Sequence, residues 1–284
     1  VDGALAQGLG WLAGWLWWWV DHPGRRRVAA NLRGPLAVHR PSKRRLLVRR
    51  SYCRFGLACA EALRIPRLPT WVAREPQWQC CDPWHCLPVA GPMTGPKIFC
   101  TQHSNWEILA PILHRRGHTE QVHIVAMSHR DPRIDRLFSA HRQRQGIISL
   151  LLDQAPLASL RALRDGAVLG LVADRDYTRH GIHVRLLGRM ISLPIGPAAL
   201  AVQTGQPLLP AFLARNGYTR FRIFFGRPLH PRPGQNRRHQ VADLTQRLAD
   251  WYSRCIACAP DQWCAFHRIW PEGDGDQRSS SGTA

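Results

Sequence analysis

From residue 97 onward, short apolar runs alternate with longer stretches whose apolar residues recur every three or four positions. "KIFCTQ", "VHIVAM" (122–127), "IISLLL" and "AVLGLVAD" are apolar runs of strand length. Between them lie "NWEILAPILHRRG", "PRIDRLFSAHRQRQG" and "PLASLRALRDG", which have helical spacing and stop at Gly117, Gly146 and Gly166. "GPAALAVQTG" reads as a helix, with Pro197 in its first turn and Gly205 past its end. "PLLPAFLAR" and "RFRIFFG" read as strands, and "RRHQVADLTQRLADWYSRCIACA" as a long helix. This alternation predicts an α/β fold, a mixed central sheet flanked by helices.

The upstream pattern is different. Residues 4–20, "ALAQGLGWLAGWLWWWV", are apolar apart from Gln7 and hold five of the twelve tryptophans. The run is a little short of the ~20 residues that span a bilayer. It ends in Asp21-His22-Pro23-Gly24 and then Arg25-Arg26-Arg27. Tryptophans beside arginines fit a helix lying in, or partly crossing, a leaflet with anionic lipids. The competing reading is a buried core helix. Residues 42–65 form a second helical region, closed by Pro66 and Pro69, and residues 66–96 read as a connection. The expected division is a Trp-rich membrane-associating helix over 1–24, an α/β domain over 25–271 and a disordered tail over 272–284.

Composition adds a charge problem. There are 39 Lys+Arg against 19 Asp+Glu, net +20, and only Lys43 and Lys97 are lysines. Arginine favours bidentate contact with phosphates, so nucleic acid, an anionic membrane or anionic substrates all suit the balance. The basic residues are spread along the chain and no nucleic-acid motif appears, so no nucleic acid is expected as partner. The nine cysteines do not have the spacing of a disulfide scaffold or of paired zinc ligands, and no metal or cofactor is expected.

The candidate chemistry sits in "TQHSNWEILAPIL", residues 101–113. His103 lies just past a predicted strand, where open α/β sheets place their ligands. If residues 103–107 are helical, His103 and Glu107 are about 40° apart around the axis and share a face. The carboxylate could then steady an imidazole that takes a proton from a hydroxyl attacking an acyl carbon. Such a pair also arises by chance on helix surfaces, and spacing alone leaves both readings open.

"HSNWE", "VADRDYTRHGIHVRLLGR", "LPIGPAALAVQTGQPLLPAFLAR" and "PDQWCAFHRIW" stand in order along the chain. Together they resemble the bacterial lipid A biosynthesis (late, lauroyl/myristoyl-type) acyltransferase family, which includes phosphatidylinositol mannoside acyltransferases. The resemblance implies an acyltransferase at the cytoplasmic face of the bacterial inner membrane. It would move a fatty acyl chain from an acyl thioester, carried by acyl carrier protein or CoA, to a hydroxyl of an anionic glycolipid. It implies His103 as catalytic base with Glu107 as its acid, although three residues separate them here and four in the family's motif. It further implies substrate contacts at Asp174, Arg175 and Asp176, with Arg175 meeting phosphate or the developing oxyanion. Arg189, after Gly188, would shape the cleft, and Arg130 and Arg133 would approach an anionic head group. The net charge and the shortened His–Glu spacing leave a second reading open: a weakly active or inactive basic homologue that binds membrane or nucleic acid.

Overall fold

The computed structural model describes residues 3–33, 38–64, 78–87, 97–115, 121–127, 131–217 and 220–270, together with 36, 94 and 95. The N-terminal part is a helical layer of α1 (Gly3–Val20), α2 (His22–Arg33) and α3 (Pro41–Arg64). Then follow β1 (Trp78–Cys81), β2 (Ile98–Thr101), α4 (Trp106–Arg115), β3 (Val122–Ala126), α5 (Pro132–Gln143), β4 (Ile147–Leu151) and α6 (Ala155–Arg164). The chain continues through β5 (Val168–Val172), β6 (Ile182–Leu186), β7 (Arg189–Leu193), α7 (Gly196–Thr204), β8 (Leu208–Asn216), β9 (Arg220–Phe225) and α8 (Arg237–Cys258). A short 3-10 turn, Pro260–Gln262, ends the regular structure.

Seven strands form one sheet in the order β1-β9-β8-β2-β5-β3-β4, parallel except between β8 and β9. The expected mixed sheet with flanking helices is therefore present. β2 is buried along its whole length, which explains its unbroken apolar sequence. The long helix α8 packs Leu244, Leu248, Ala249, Tyr252 and Ile256 into the core, and Tyr252 donates its hydroxyl to the carbonyl of Thr101 at 2.8 Å. β6 and β7 form a separate antiparallel hairpin, with Leu187 (φ 52°) and Gly188 (φ 80°) in its turn.

The apolar N-terminal run is helical, as expected, but no helix among the described residues is long and apolar enough to cross a membrane. One face of α1, carrying Gln7, Gly10, Gly14 and Trp18, is buried. The glycines let two backbones meet: a Cβ at Gly10 would strike the Gly56 carbonyl and Ala60, and one at Gly14 the backbone of Tyr52 and Cys53. The opposite face is unpartnered, with Leu5 (58% exposed), Leu9, Leu12, Leu16, Trp19 and Val20 (73%) open. One face of the helix thus lies in the core, as the competing reading expects, and the other is bare. α2 starts at His22, where Asp21 accepts the Gly24 N–H, so the expected boundary between residues 24 and 25 falls inside a helix. The stretch 272–284, expected to be disordered, lies outside the described residues.

Candidate active site

β2 and β5 are adjacent and parallel, with Thr101 opposite Val172. His103 and Asp174 lie two residues past these partners, so the sheet brings together side chains 71 positions apart. Nδ1 of His103 donates to Oδ1 of Asp174 at 2.5 Å. Asp174 is fully buried, and its second oxygen accepts the indole N–H of Trp263 at 2.8 Å. Burial alone would raise the Asp174 pKa. The His103 ring, Arg175 and the Trp263 N–H outweigh it and hold the carboxyl well below the usual carboxylate range. With Asp174 ionised, Nδ1 carries the proton and Nε2 is the basic nitrogen. The His103 side chain is 22% exposed, and the Tyr177 hydroxyl donates to Nε2 at 3.2 Å.

The expected His103–Glu107 pair is replaced by this arrangement. α4 begins only at Trp106, because Asn105 turns inward to donate to the Leu213 carbonyl at 3.2 Å. His103 therefore sits in a bend before the helix, and the shared-face geometry does not form. Glu107 takes Arg142 of α5 instead, through Nη2 and Nε at 2.5 and 3.2 Å. Arg142 is buried and also lies 5.4 Å from the Trp106 ring centroid, so the pair joins α4 to α5.

The other sequence candidates separate. Arg175 donates to the Cys264 carbonyl and reaches the Tyr177 hydroxyl at 3.4 Å, so it lies beside the His103 ring but is engaged with the C-terminal segment. Asp176 organises its own loop, accepting from the backbone N–H of Thr178, Arg179 and Gly181 and from the Ser192 hydroxyl at 2.6 Å. Burial is the largest single influence and would raise its pKa, but those bonds together outweigh it and lower it. Arg189 opens β7 across the hairpin turn. Arg133 is exposed in the first turn of α5, and Arg130 lies outside the described residues. Among the described residues no cluster of His, Cys, Asp and Glu could hold a metal.

Trp263 and Tyr177 were not among the sequence candidates. Trp263 is placed by a tightly held terminal segment. Asn31 of α2 donates to the carbonyls of Ala265 and His267 and accepts the Ile269 N–H, while Arg27 donates to the Phe266 carbonyl at 2.8 Å. The Cys264 N–H returns to the His103 carbonyl at 2.9 Å. On the other flank, a buried Arg215–Glu61 ion pair joins β8 to α3, and Arg215 also reaches Asn105 at 3.3 Å.

Beside this pair an apolar cleft runs between α4 and the sheet. It extends along β5 from Val172, next to the pair, to Val168, a length of ~13 Å at strand rise. Its walls include Trp106, Leu109, Ala110, Leu113, Val125 and Gly170. The cleft is filled for the most part by Trp106 and the leucines of α4, and its free volume is about 30 Å³.

Likeness to known proteins bears on this geometry. Proteins of two Mycobacterium tuberculosis strains, CDC 1551 / Oshkosh and ATCC 25618 / H37Rv, each described as phosphatidylinositol mannoside acyltransferase, are 36% identical over 108 residues. That match covers 38% of this chain and 32% of each relative, so the matched part spans about a third of their length. A phosphatidylinositol mannoside acyltransferase of Mycolicibacterium smegmatis is 26% identical over 236 residues, 82% of this chain and 75% of its own. The model of one family, bacterial lipid A biosynthesis acyltransferase, matches residues 4–272, a span that takes in α1, the His103–Asp174 pair and Trp263 alike. The chain therefore belongs to the bacterial lipid A biosynthesis acyltransferase family.

Proposed function

We propose that the protein is an O-acyltransferase that moves a fatty acyl chain from an acyl thioester to a hydroxyl of an anionic glycolipid. The observation that carries this reading is a histidine with Nδ1 fixed on a buried carboxylate and Nε2 facing the Tyr177 hydroxyl, two residues past an apolar cleft whose lining reaches Thr101 and Val172. Nε2 takes the proton of the acceptor hydroxyl as that oxygen attacks the thioester carbonyl. Asp174 stabilises the imidazolium that forms. The tetrahedral oxyanion collapses, the C–S bond breaks, and the leaving thiolate takes the proton from Nε2. Tyr177 occupies the place the acceptor hydroxyl needs and must swing out. Arg175, whose guanidinium reaches the Tyr177 hydroxyl, then meets the developing charge. The acyl tail lies in the cleft under α4.

In this reading Asp174 is the carboxylate partner of the base and Trp263 positions it, while Glu107 ties α4 to α5 and Asp176 shapes the loop after β5. The acceptor is of the phosphatidylinositol mannoside type, supported by what the mycobacterial relatives are described as doing. The donor is acyl-CoA or acyl carrier protein, both acidic and suited to a chain of net charge +20. The bare face of α1 rests on the cytoplasmic side of the inner membrane, where the acceptor lies.

The test is transfer of labelled palmitate from CoA to mannosylated phosphatidylinositol in a membrane assay, with His103→Ala beside the wild type. The variant is expected to lose turnover. Unchanged turnover in His103→Ala would remove the base from the mechanism, and no transfer by the wild type to any mannosylated lipid would remove the acceptor class.

A further inference from the structure

We propose that the groove between α1, α2 and α3 is a discrete seat for the phosphate of an anionic membrane phospholipid. This deepens the membrane placement given above and rests on it. The groove encloses about 480 Å³. Arg25 and Arg26 of α2 and Arg44 and Arg45 of α3 line it, around a floor that includes Trp18 and Val48.

Four guanidinium groups meet here with no acid in the lining. Among the described residues none of the four has a carboxylate partner, whereas Arg54, Arg142 and Arg215 each have one. Asp21, the acid closest in sequence, is already taken by the Gly24 N–H and the Tyr52 hydroxyl. Neutral partners hold three of the charges: the guanidinium carbons of Arg25 and Arg45 lie 5.0 and 5.9 Å from the Trp18 ring, Arg25 also meets the His22 ring, and Arg44 donates to the carbonyls of Val38 and His39 at 3.0 and 3.1 Å. Pro41 brings the first turn of α3, the positive end of a 24-residue helix, to the same rim. A phosphate is the anion this fork-like set fits, because arginine pairs with it bidentately.

The neighbouring surface says what carries that phosphate. The bare stripe of α1 (Leu5, Leu9, Leu12, Leu16, Trp19) lies on the face of the helix opposite Trp18, and its last turn stands at the same end of α1 as the groove. An apolar stripe that ends in arginines and tryptophan matches the depth profile of a lipid, with tails below and phosphate above. A soluble phosphate ester would use the arginines and leave the stripe bare.

The test is partition of the full chain into phosphatidylcholine vesicles with and without phosphatidylglycerol. Arg25→Gln/Arg45→Gln is compared with Arg237→Gln/Arg238→Gln, which removes equal charge from an exposed helix start elsewhere. The groove variant is expected to bind anionic vesicles about 30-fold more weakly while keeping its partition into pure phosphatidylcholine. The control is expected to stay close to wild type. Equal losses in both variants would show diffuse attraction and overturn the seat while sparing the membrane placement. Failure of the wild type to bind either vesicle would overturn both. Should the first variant melt early, Arg26→Gln/Arg45→Gln, whose side chains are both exposed, makes the same comparison.

Discussion

Replacing Asp174 by asparagine removes one negative charge and leaves a side chain of the same shape. Asp174 is fully buried and holds the His103 ring at 2.5 Å. In the transition state of the proposed mechanism the ring is an imidazolium, and its attraction to a carboxylate about 4 Å from its charge centre is worth about 4 kcal/mol at an effective dielectric near 20. That energy corresponds to about a thousandfold in kcat. Asparagine can also present its N–H₂ to Nδ1, which would fix the wrong tautomer and add to the loss. The assay is labelled acyl transfer with purified protein, with circular dichroism and a thermal melt as fold controls. Glu107→Gln is the counterpart. It leaves the buried Arg142 with a weaker partner, so stability falls by about 3 kcal/mol, while kcat per folded molecule stays near wild type. Turnover of Asp174→Asn within tenfold of wild type would refute the assignment. So would a collapse of kcat in Glu107→Gln at an unmoved melting temperature.

Trp263→Phe deletes the N–H on the second Asp174 oxygen and is expected to lower kcat by about 1.5–3 kcal/mol, read in the same transfer assay. Ala110→Trp fills the cleft wall and should shift the preferred donor toward shorter acyl chains in a competition among CoA esters. Gly14→Ala drives a methyl into the Tyr52–Cys53 backbone and should cost about 1–3 kcal/mol in urea denaturation. The depressed Asp174 pKa contributes stability above an unfolded value of about 3.9, and that contribution is lost as pH falls through the folded value. Asp174→Asn should therefore flatten the acid limb of a stability–pH curve below about pH 4.

The parallel strands were legible because both of their faces are covered, which leaves unbroken apolar runs such as "KIFCTQ" and "AVLGLVAD". The β6–β7 hairpin escaped notice because its turn uses Leu187 where asparagine or glycine would have signalled it. α2 was hidden by "DHPGRRR", whose Pro and Gly read as a turn although Pro23 suits a helical first turn. The site was half legible. His103 and Asp174 each follow a strand at the same offset, but they meet only because β5 inserts between β2 and β3, against chain order. Linear spacing instead pointed to Glu107, four residues away. The indole that completes the pair had no local signal, since residues of α2 place it from more than 230 positions upstream.

That last contact sets a timetable for synthesis. β2, β5 and the helical layer can form while the chain is still being translated, but the strap held by Asn31 consists of residues 265–269. Until it leaves the ribosome, the Asp174 carboxylate lacks its indole and the His103 carbonyl lacks the Cys264 N–H. In a nascent chain the Asp174–Trp263 bond therefore forms only after the strap has been made, and the surroundings of His103 are completed late.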